Sequence, residues 1–89
     1  MEGEKSDAKY ERYRSNLKRV LSEVDVKRCD RVEEVMRALD LAKRYYEDAE
    51  HFKEKGEIEI ALISLAYSEG LLDGLRLMGH IQFSWQEER

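Results

Sequence analysis

The chain contains no proline and a single cysteine among its 89 residues. The absence of proline leaves long helices uninterrupted, because proline is the residue that most strongly breaks them. The lone Cys29 excludes a disulfide within the chain and any zinc site built from several cysteines. No apolar run approaches the roughly 20 residues that a membrane-spanning helix needs. The sequence therefore predicts a soluble helical domain that is held together by packing.

The charge distribution does not favour nucleic-acid binding. Residues 1–31 contain 9 basic and 7 acidic residues, whereas residues 32–89 contain 7 basic and 13 acidic ones, which together give the net charge of −4. A domain that binds nucleic acid usually has a basic patch, and we expect none here. The basic residues of the first predicted helix are interpreted as a solvated face: Lys9, Arg12, Lys18 and Arg19.

Length and composition indicate one small domain. With 89 residues, the chain is near the size at which a single core is only marginally sufficient. Both signs of charge are interspersed and Asn16 is the only asparagine, which is typical of helices with surface ion pairs and of thermophilic proteins. The first residues lack the apolar core of a secretory signal, so we expect a cytoplasmic protein.

Three segments have the apolar patterns of helices. Apolar residues recur at three- and four-residue steps in residues 7–24 and again in residues 30–55, which predicts two amphipathic helices. A third segment, residues 57–78, is apolar around nearly its whole circumference as far as Ala66, which is typical of a buried helix. The predicted fold is all-α, a three-helix up-and-down bundle with an extended C-terminal tail.

A helical hairpin is predicted at Gly56. Glycine supplies the left-handed backbone that commonly ends a helix, and Lys53 and Glu57 on either side complement the two helix dipoles. Antiparallel helices that leave a turn at Gly56 pair residues whose numbers sum to about 112. Tyr45 is therefore expected to face Tyr67.

The same count places Ala42 opposite Gly70. Small residues recur on this side of the third helix, and they would let a neighbouring helix approach closely. The second helix of the same chain is the favoured neighbour, and a dimer seam along the same groove is the alternative. The residues predicted to allow the close approach are Ala42, Ala66, Gly70 and Gly74.

The end of the chain follows a different pattern. Ile81, Phe83 and Trp85 alternate with polar residues, and this period of two predicts an extended backbone. The tail either lies back across the end of the bundle or pairs with another chain, and its large aromatic side chains favour the first arrangement. The predicted organisation is a disordered N-terminus at residues 1–6, the bundle at residues 7–79 and the tail at residues 80–89.

Polar and aromatic residues on the second and third helices form a candidate surface or pocket cluster. Glu69 and Asp73 lie one turn apart, with Arg76 one turn beyond, and paired carboxylates can bind a divalent metal. Such sites usually add histidine ligands, which are missing, so a surface ion pair of Asp73 with Arg76 is favoured. We expect no catalytic residues, no metal site and no cofactor. The candidate cluster comprises Tyr45, Asp48, Tyr67, Glu69, Asp73 and Arg76.

The second half of the chain contains two recognisable stretches, AKRYYEDAEHFKEKG at residues 42–56 and ALISLAYSEGLLDGLRLMG at residues 61–79. Together they resemble the small archaeal family called domain of unknown function 357. Family members often have histidine at the position of Glu69. The resemblance implies a three-helix bundle and an uncharacterised function, and it supplies no catalytic residues. The positions that carry it are Ala42, Tyr45, Asp48, Ala49, Phe52, Gly56, Tyr67, Gly70, Leu72, Asp73 and Gly79.

One enzymatic hypothesis comes from Arg44 and His51. Their R-x6-H spacing resembles the motif of helical HEPN ribonucleases, which implies RNA cleavage by an arginine and a histidine. The same spacing arises by chance in charged helices, and this acidic chain is shorter than that fold, so His51 is interpreted as a partly exposed flank of Phe52. The favoured function is a non-enzymatic protein-interaction or self-association module. A nucleotide- or RNA-related accessory protein is the alternative, ahead of the ribonuclease.

The predicted bundle leaves apolar surface uncovered. Each helix of a three-helix bundle has two neighbours, yet the third helix is apolar on nearly all sides. Ile58, Leu62 or Ile63 therefore needs a further cover, and the tail begins too far along the helix to reach Ile58 readily. A second copy of the chain is the simplest cover. We predict a homodimer, with an unidentified protein partner as the alternative and with no membrane or nucleic acid.

Overall fold

The structure, a computed structural model, describes residues 2–85 as three helices and a two-stranded antiparallel sheet. The all-α bundle is confirmed. Residue 1 and residues 86–89 of the predicted termini lie outside the described range. The first helix begins at Glu2 and not at residue 7, so residues 2–6, predicted to be disordered, continue that helix. The elements in chain order are α1 (Glu2–Glu23), β1 (Asp25–Val26), α2 (Val32–Glu54), α3 (Ile58–Leu77) and β2 (Ile81–Gln82).

The helices run up, down and up. Along the contact between α1 and α2, residue numbers rise on one helix as they fall on the other: Arg14 lies 3.4 Å from Glu50, and the Tyr10 ring lies 5.7 Å from Lys53. The two helices are therefore antiparallel. None of the three helices within residues 2–85 has an apolar stretch long enough to cross a lipid bilayer.

The hairpin between α2 and α3 is built as predicted. Gly56 has a φ of 83°, a left-handed conformation that strains any residue with a side chain. Its N–H donates to the Lys53 carbonyl at 3.0 Å, and the Glu57 N–H donates to the Phe52 carbonyl at 2.9 Å. These two bonds form the Schellman motif, which satisfies carbonyls that the helix end would leave unpaired. The same motif ends α3 at Gly79, with a φ of 80°.

The core is a single cluster that takes residues from every helix and from β2. Each member is at most 9% exposed to solvent. Ser68 of α3 is also buried, and its hydroxyl donates to the Ala42 carbonyl of α2 at 2.7 Å, so the buried oxygen is satisfied. The core comprises Tyr10, Leu17, Val20, Val35, Leu39, Ala42, Tyr46, Ala49, Ala61, Leu65, Leu72, Leu75 and Ile81.

The predicted close approach of α2 along the small residues of α3 is wrong. Ala42 is fully buried, but it lies against Ser68 and not against Gly70. Ala66 and Gly70 are exposed. A Cβ added at Gly70 or Gly74 would meet no heavy atom within 4 Å, so neither glycine makes room for a helix of its own chain. The hairpin count places residues along the helix axis, but it does not fix the rotation of α3 about that axis.

The tail pairs with a strand that the sequence did not reveal. β2 is antiparallel to β1, with Val26 opposite Ile81, and the Lys27 N–H donates to the His80 carbonyl at 2.8 Å. Ile81 is 2% exposed and belongs to the core. The prediction that the tail is extended and lies back across the bundle is confirmed as far as Trp85. The segment around Val26, which lies between the first two predicted helices, supplies its partner strand.

A hydrogen-bonded network joins α1 to α2 beside Tyr10. The Tyr46 hydroxyl donates to Glu50 at 2.9 Å and accepts from Arg14 at 3.0 Å. The Tyr10 hydroxyl is buried and has no hydrogen-bond partner among the described residues. Burial, followed by the negative charge of Glu50, raises the pKa of Tyr10 to about 12. Tyr10 thus contributes packing, whereas Tyr46 contributes packing and two hydrogen bonds.

Replacing these two tyrosines by phenylalanine should change stability in opposite directions. Tyr10→Phe removes a buried, unpartnered hydroxyl and should raise the free energy of unfolding by about 1 kcal/mol. Tyr46→Phe removes two hydrogen bonds and should lower it by about 1 kcal/mol. Urea unfolding of both variants measures the difference. A loss of stability in Tyr10→Phe equal to that in Tyr46→Phe would show that the Tyr10 hydroxyl is bonded.

Candidate functional site

Two of the six candidate residues form an aromatic pair on the surface. Tyr45 of α2 and Tyr67 of α3 stack with their ring centroids 5.3 Å apart and their planes 26° from parallel. The hairpin count predicted this pairing, and it is confirmed. Tyr45 is half-buried, whereas Tyr67 is 60% exposed. The stacked rings therefore form a small aromatic shelf that faces solvent on the side of Tyr67.

Two other candidates, Asp73 and Arg76, lie beside the tail, away from the tyrosine pair. Asp73 accepts a hydrogen bond from the Trp85 indole N–H at 2.7 Å, and the Arg76 guanidinium lies 3.4 Å from the same carboxylate oxygen. Arg76 also lies over the Phe83 ring, 5.5 Å from its centroid. The predicted ion pair of Asp73 with Arg76 is therefore present. The Asp73 carboxylate has a further structural role, because it also binds Trp85, the only tryptophan of the chain.

Glu69 is a further carboxylate of the candidate cluster. It is half-buried on α3, one turn before Asp73. Burial raises the pKa of Glu69 above its ordinary value, and the negative charge of Asp73 raises it further. A metal ion bound here would favour the charged carboxylate. Within the described residues no three side chains of the metal-binding types lie close enough together to hold an ion.

The remaining candidate, Asp48, does not join either group. It is exposed on α2 and makes no hydrogen bond or ion pair with any residue that the structure describes. The six predicted residues therefore separate into the tyrosine shelf, the pair of Asp73 and Arg76 beside the tail with Glu69 one turn before Asp73, and the isolated Asp48. The separation follows from helix geometry, since Tyr67 and Glu69 are neighbours in sequence but about 200° apart around α3.

Arg19 makes a contact with the tail that the sequence did not reveal. One of its guanidinium nitrogens donates to the carbonyls of Ser84 at 3.1 Å and Trp85 at 2.9 Å, and its side chain is 18% exposed. The interpretation of Arg19 as part of a solvated face is therefore wrong. The periodicity of α1 places Arg19 beside the apolar stripe, but a contact 66 residues away leaves no signal in that pattern. Arg19 and Asp73 hold the tail from two different helices.

Arg44 and His51, the pair of the ribonuclease hypothesis, lie on one exposed face of α2. Seven residues of helix separate them by about 10 Å along the axis. A shallow depression contains Arg44 together with Arg37, Asp40 and Leu41, but it does not extend to His51. Arg44 and His51 therefore do not both line this depression. Two acidic residues, Glu47 and Asp48, lie between Arg44 and His51 in the chain, about one helical turn from each.

One side of α3 is uncovered and apolar along most of its length. Ile60 is 45% exposed, Ile63 is 54% exposed, and Leu77, further along, is 77% exposed. The spacing of three and four residues places these side chains on one helix face. We call this surface the outer face of α3; it comprises Ile60, Ile63, Ala66, Tyr67, Gly70, Gly74 and Leu77.

Removing the Asp73 carboxylate should release Trp85. Asp73→Ala leaves the indole N–H without its acceptor and should lower the free energy of unfolding by about 1 kcal/mol. Because Trp85 is the only tryptophan, a red shift of the intrinsic fluorescence reports its exposure directly. Asp48→Ala removes the same group from an isolated position and should leave the emission unchanged. An unshifted spectrum in Asp73→Ala would mean that other contacts hold the tail.

Stability should depend on pH through Glu69. Its pKa is raised in the folded protein, so folding is favoured in acid, and this contribution is lost as the pH rises through the folded pKa. Glu69→Gln should therefore melt at a higher temperature than the wild type at pH 7, and the two should converge at a pH below the ordinary pKa of glutamate. Glu47→Gln, which removes a charge from an exposed site on α2, is the control. Equal effects of both variants would contradict the assignment.

Comparison with known proteins gives a family but no function. Residues 12–81 match the family described as "Protein of unknown function (DUF357)". No curated protein and no solved structure matches the chain. The matched range begins in α1 and ends in β2, so it takes in all three helices and not only the hairpin that carried the sequence resemblance. Since the match covers more than half of the chain, this protein belongs to the DUF357 family.

Proposed function

We propose that this protein is a non-enzymatic interaction module whose partner is a second copy of itself. The outer face of α3 is the observation that carries the proposal. Ile63 and Tyr67 are more than half exposed at its centre, with Ile60 nearly so beside them. Contiguous exposed apolar residues on a small soluble domain mark interaction surfaces, since isolated ones are common but grouped ones are not.

The tail does not provide this cover. β2 pairs with β1, and Trp85 binds Asp73, so the tail up to Trp85 is held at the end of α3 opposite to the hairpin. Ile60 and Ile63 lie near the start of α3, several helical turns from those contacts. An exposed apolar patch closes most simply on a copy of itself, because a twofold axis covers both copies at once.

The chemical groups of the chain favour binding over catalysis. The Asp73 carboxylate beside the tail binds Trp85 and Arg76, and the tyrosine shelf has no acid or base next to it among the described contacts. Catalysis requires a nucleophile or a proton donor within hydrogen-bond reach of a common point. The depression that contains Arg44 does not include His51, so the ribonuclease hypothesis has less support than self-association.

A charge on the outer face should dissociate the dimer. Light scattering at micromolar concentration should give twice the mass of the chain for the wild type and the mass of one chain for Ile63→Glu, because a buried unpaired carboxylate is costly. Met36→Glu is the matched control: Met36 is 44% exposed, close to the 54% of Ile63, but it lies near the start of α2. A monomeric wild type, with Ile63→Glu equally soluble and stable, would refute self-association.

A further inference from the structure

The tail is held in two different ways on either side of Gln82. Before it, Ile81 is 2% exposed and is part of the core. After it, Phe83 and Trp85 are only partly buried, and their rings pack edge to face with centroids 4.8 Å apart. These two rings lie against the core from outside, whereas Ile81 is a member of it. Residues 83–85 can therefore leave the bundle while Ile81 keeps the core closed.

Three charged side chains bind this aromatic end of the tail, and each binds a different chemical group. Asp73 accepts a hydrogen bond from the indole N–H of Trp85 at 2.7 Å. Arg76 lies over the Phe83 ring, 5.5 Å from its centroid. Arg19 donates to main-chain carbonyls, among them that of Trp85 at 2.9 Å. We call these three side chains, Arg19, Asp73 and Arg76, the aromatic site.

The aromatic site contributes selectivity more than stability. The side chains of Asp73 and Arg76 are 44% and 40% exposed, and an ion pair at such exposure adds little to the free energy of folding. An apolar surface would cover aromatic rings without discriminating between them. The Asp73 carboxylate, by contrast, distinguishes tryptophan from phenylalanine and from aliphatic side chains, because a carboxylate binds only a donor. The site is thus suited to recognise a particular pair of side chains.

The contacts of the tail follow the pattern by which proteins bind extended peptides. The Lys27 N–H donates to the His80 carbonyl at 2.8 Å, and β2 is paired with β1. Main-chain hydrogen bonds of this kind accept any sequence, while side chains at alternate positions of the peptide give the specificity. In the tail those positions are Ile81, Phe83 and Trp85. The tail is therefore bound to its own bundle as a peptide ligand would be.

We propose that the aromatic site is a peptide-binding site for another protein, and that Phe83 and Trp85 occupy it as an internal ligand. The partner presents an extended segment in which an aromatic residue precedes a tryptophan by two positions. Its indole N–H binds Asp73, its other ring lies under Arg76, and its main-chain carbonyls bind Arg19. The inference is independent of self-association through the outer face of α3, because no residue of the aromatic site belongs to that face.

The tail sets the conditions under which this partner binds. Tethering gives the tail an effective concentration in the millimolar range, so the partner segment binds only in competition with it. The partner therefore needs contacts beyond its aromatic residue and its tryptophan. The tail of a second copy is not available for this role, because the same tethering holds it in its own chain.

Fluorine NMR of a labelled peptide tests the proposal with the full chain. The probe is a capped peptide with the sequence of residues 82–85, QFSW, in which the tryptophan is 5-fluorotryptophan. The double variant Phe83→Ala/Trp85→Ala empties the site and keeps Ile81, so it should bind the probe with a saturable shift of the fluorine resonance. The wild type should bind the probe at least about tenfold more weakly, because its own tail competes. If circular dichroism shows that the double variant has lost its helices, Trp85→Ala alone takes its place.

Two changes show whether the indole N–H is recognised. In the double-variant background, Asp73→Ala should weaken binding of the probe about tenfold or more, since it removes a charged hydrogen-bond acceptor. A probe with a methyl group on the indole nitrogen should bind the double variant about tenfold or more weakly for the same reason. Asp48→Ala, which removes an isolated carboxylate from α2, is the matched control and should leave the affinity unchanged.

The outcomes decide the partner as well as the site. The absence of a shift with the folded double variant at millimolar probe would overturn the proposal, and so would equal affinity of the double variant and the wild type. Equal binding of the methylated and unmethylated probes would show an unselective apolar contact and would overturn recognition of tryptophan. Displacement of the probe by an equal amount of wild-type protein would assign the site to the tail of a second copy and overturn the separate partner. Tighter binding by the double variant that is lost with Asp73→Ala supports the proposal, whatever mass light scattering gives for the wild type.

Discussion

The pairing of α2 with α3 across the Gly56 turn is the constraint on which the rest of the structure depends. The left-handed backbone at Gly56 reverses the chain, so that α3 lies antiparallel against α2. The buried hydrogen bond from Ser68 to the Ala42 carbonyl is compatible with only one rotation of α3 about its axis. That rotation buries Leu72 and turns Ile63 to solvent.

The first helix, α1, is held by a smaller and more polar set of contacts than the one between α2 and α3. Tyr46 and Glu50 of α2 bind Arg14. Arg19 binds the carbonyls of Ser84 and Trp85 in the tail. A sheet of two short strands is not stable by itself, so β1 and β2 depend on these contacts and on the burial of Ile81. The tail therefore connects the C-terminal part of α1 to the C-terminal part of α3.

The exposed apolar residues and the interior glycines lie on the same face of α3, and both lower the stability of a single chain. A chain of 89 residues buries a limited share of its surface. Because Ile63 and Tyr67 are exposed to water, their side chains add little to the stability that this small core provides. Gly70 and Gly74 weaken the same helix. A second surface packed against the outer face of α3 would offset both effects, whereas a monomer explains neither. This coincidence, more than any chemical group, favours an interaction function for this member of the DUF357 family.

The sequence by itself determined the number of helices, the hairpin at Gly56, the pairing of Tyr45 with Tyr67 and the extended tail. These features depend on local backbone preference and on the spacing of apolar residues, which the sequence states directly. Only the tertiary structure decided that Ser68 and not Gly70 faces Ala42, that Arg19 holds the tail, and that β1 exists at all. Each of these depends on the rotation of a helix or on contacts between residues far apart in the chain. A periodic pattern does not distinguish a small residue that faces a neighbouring helix from one that faces water, because both positions recur at the same spacing.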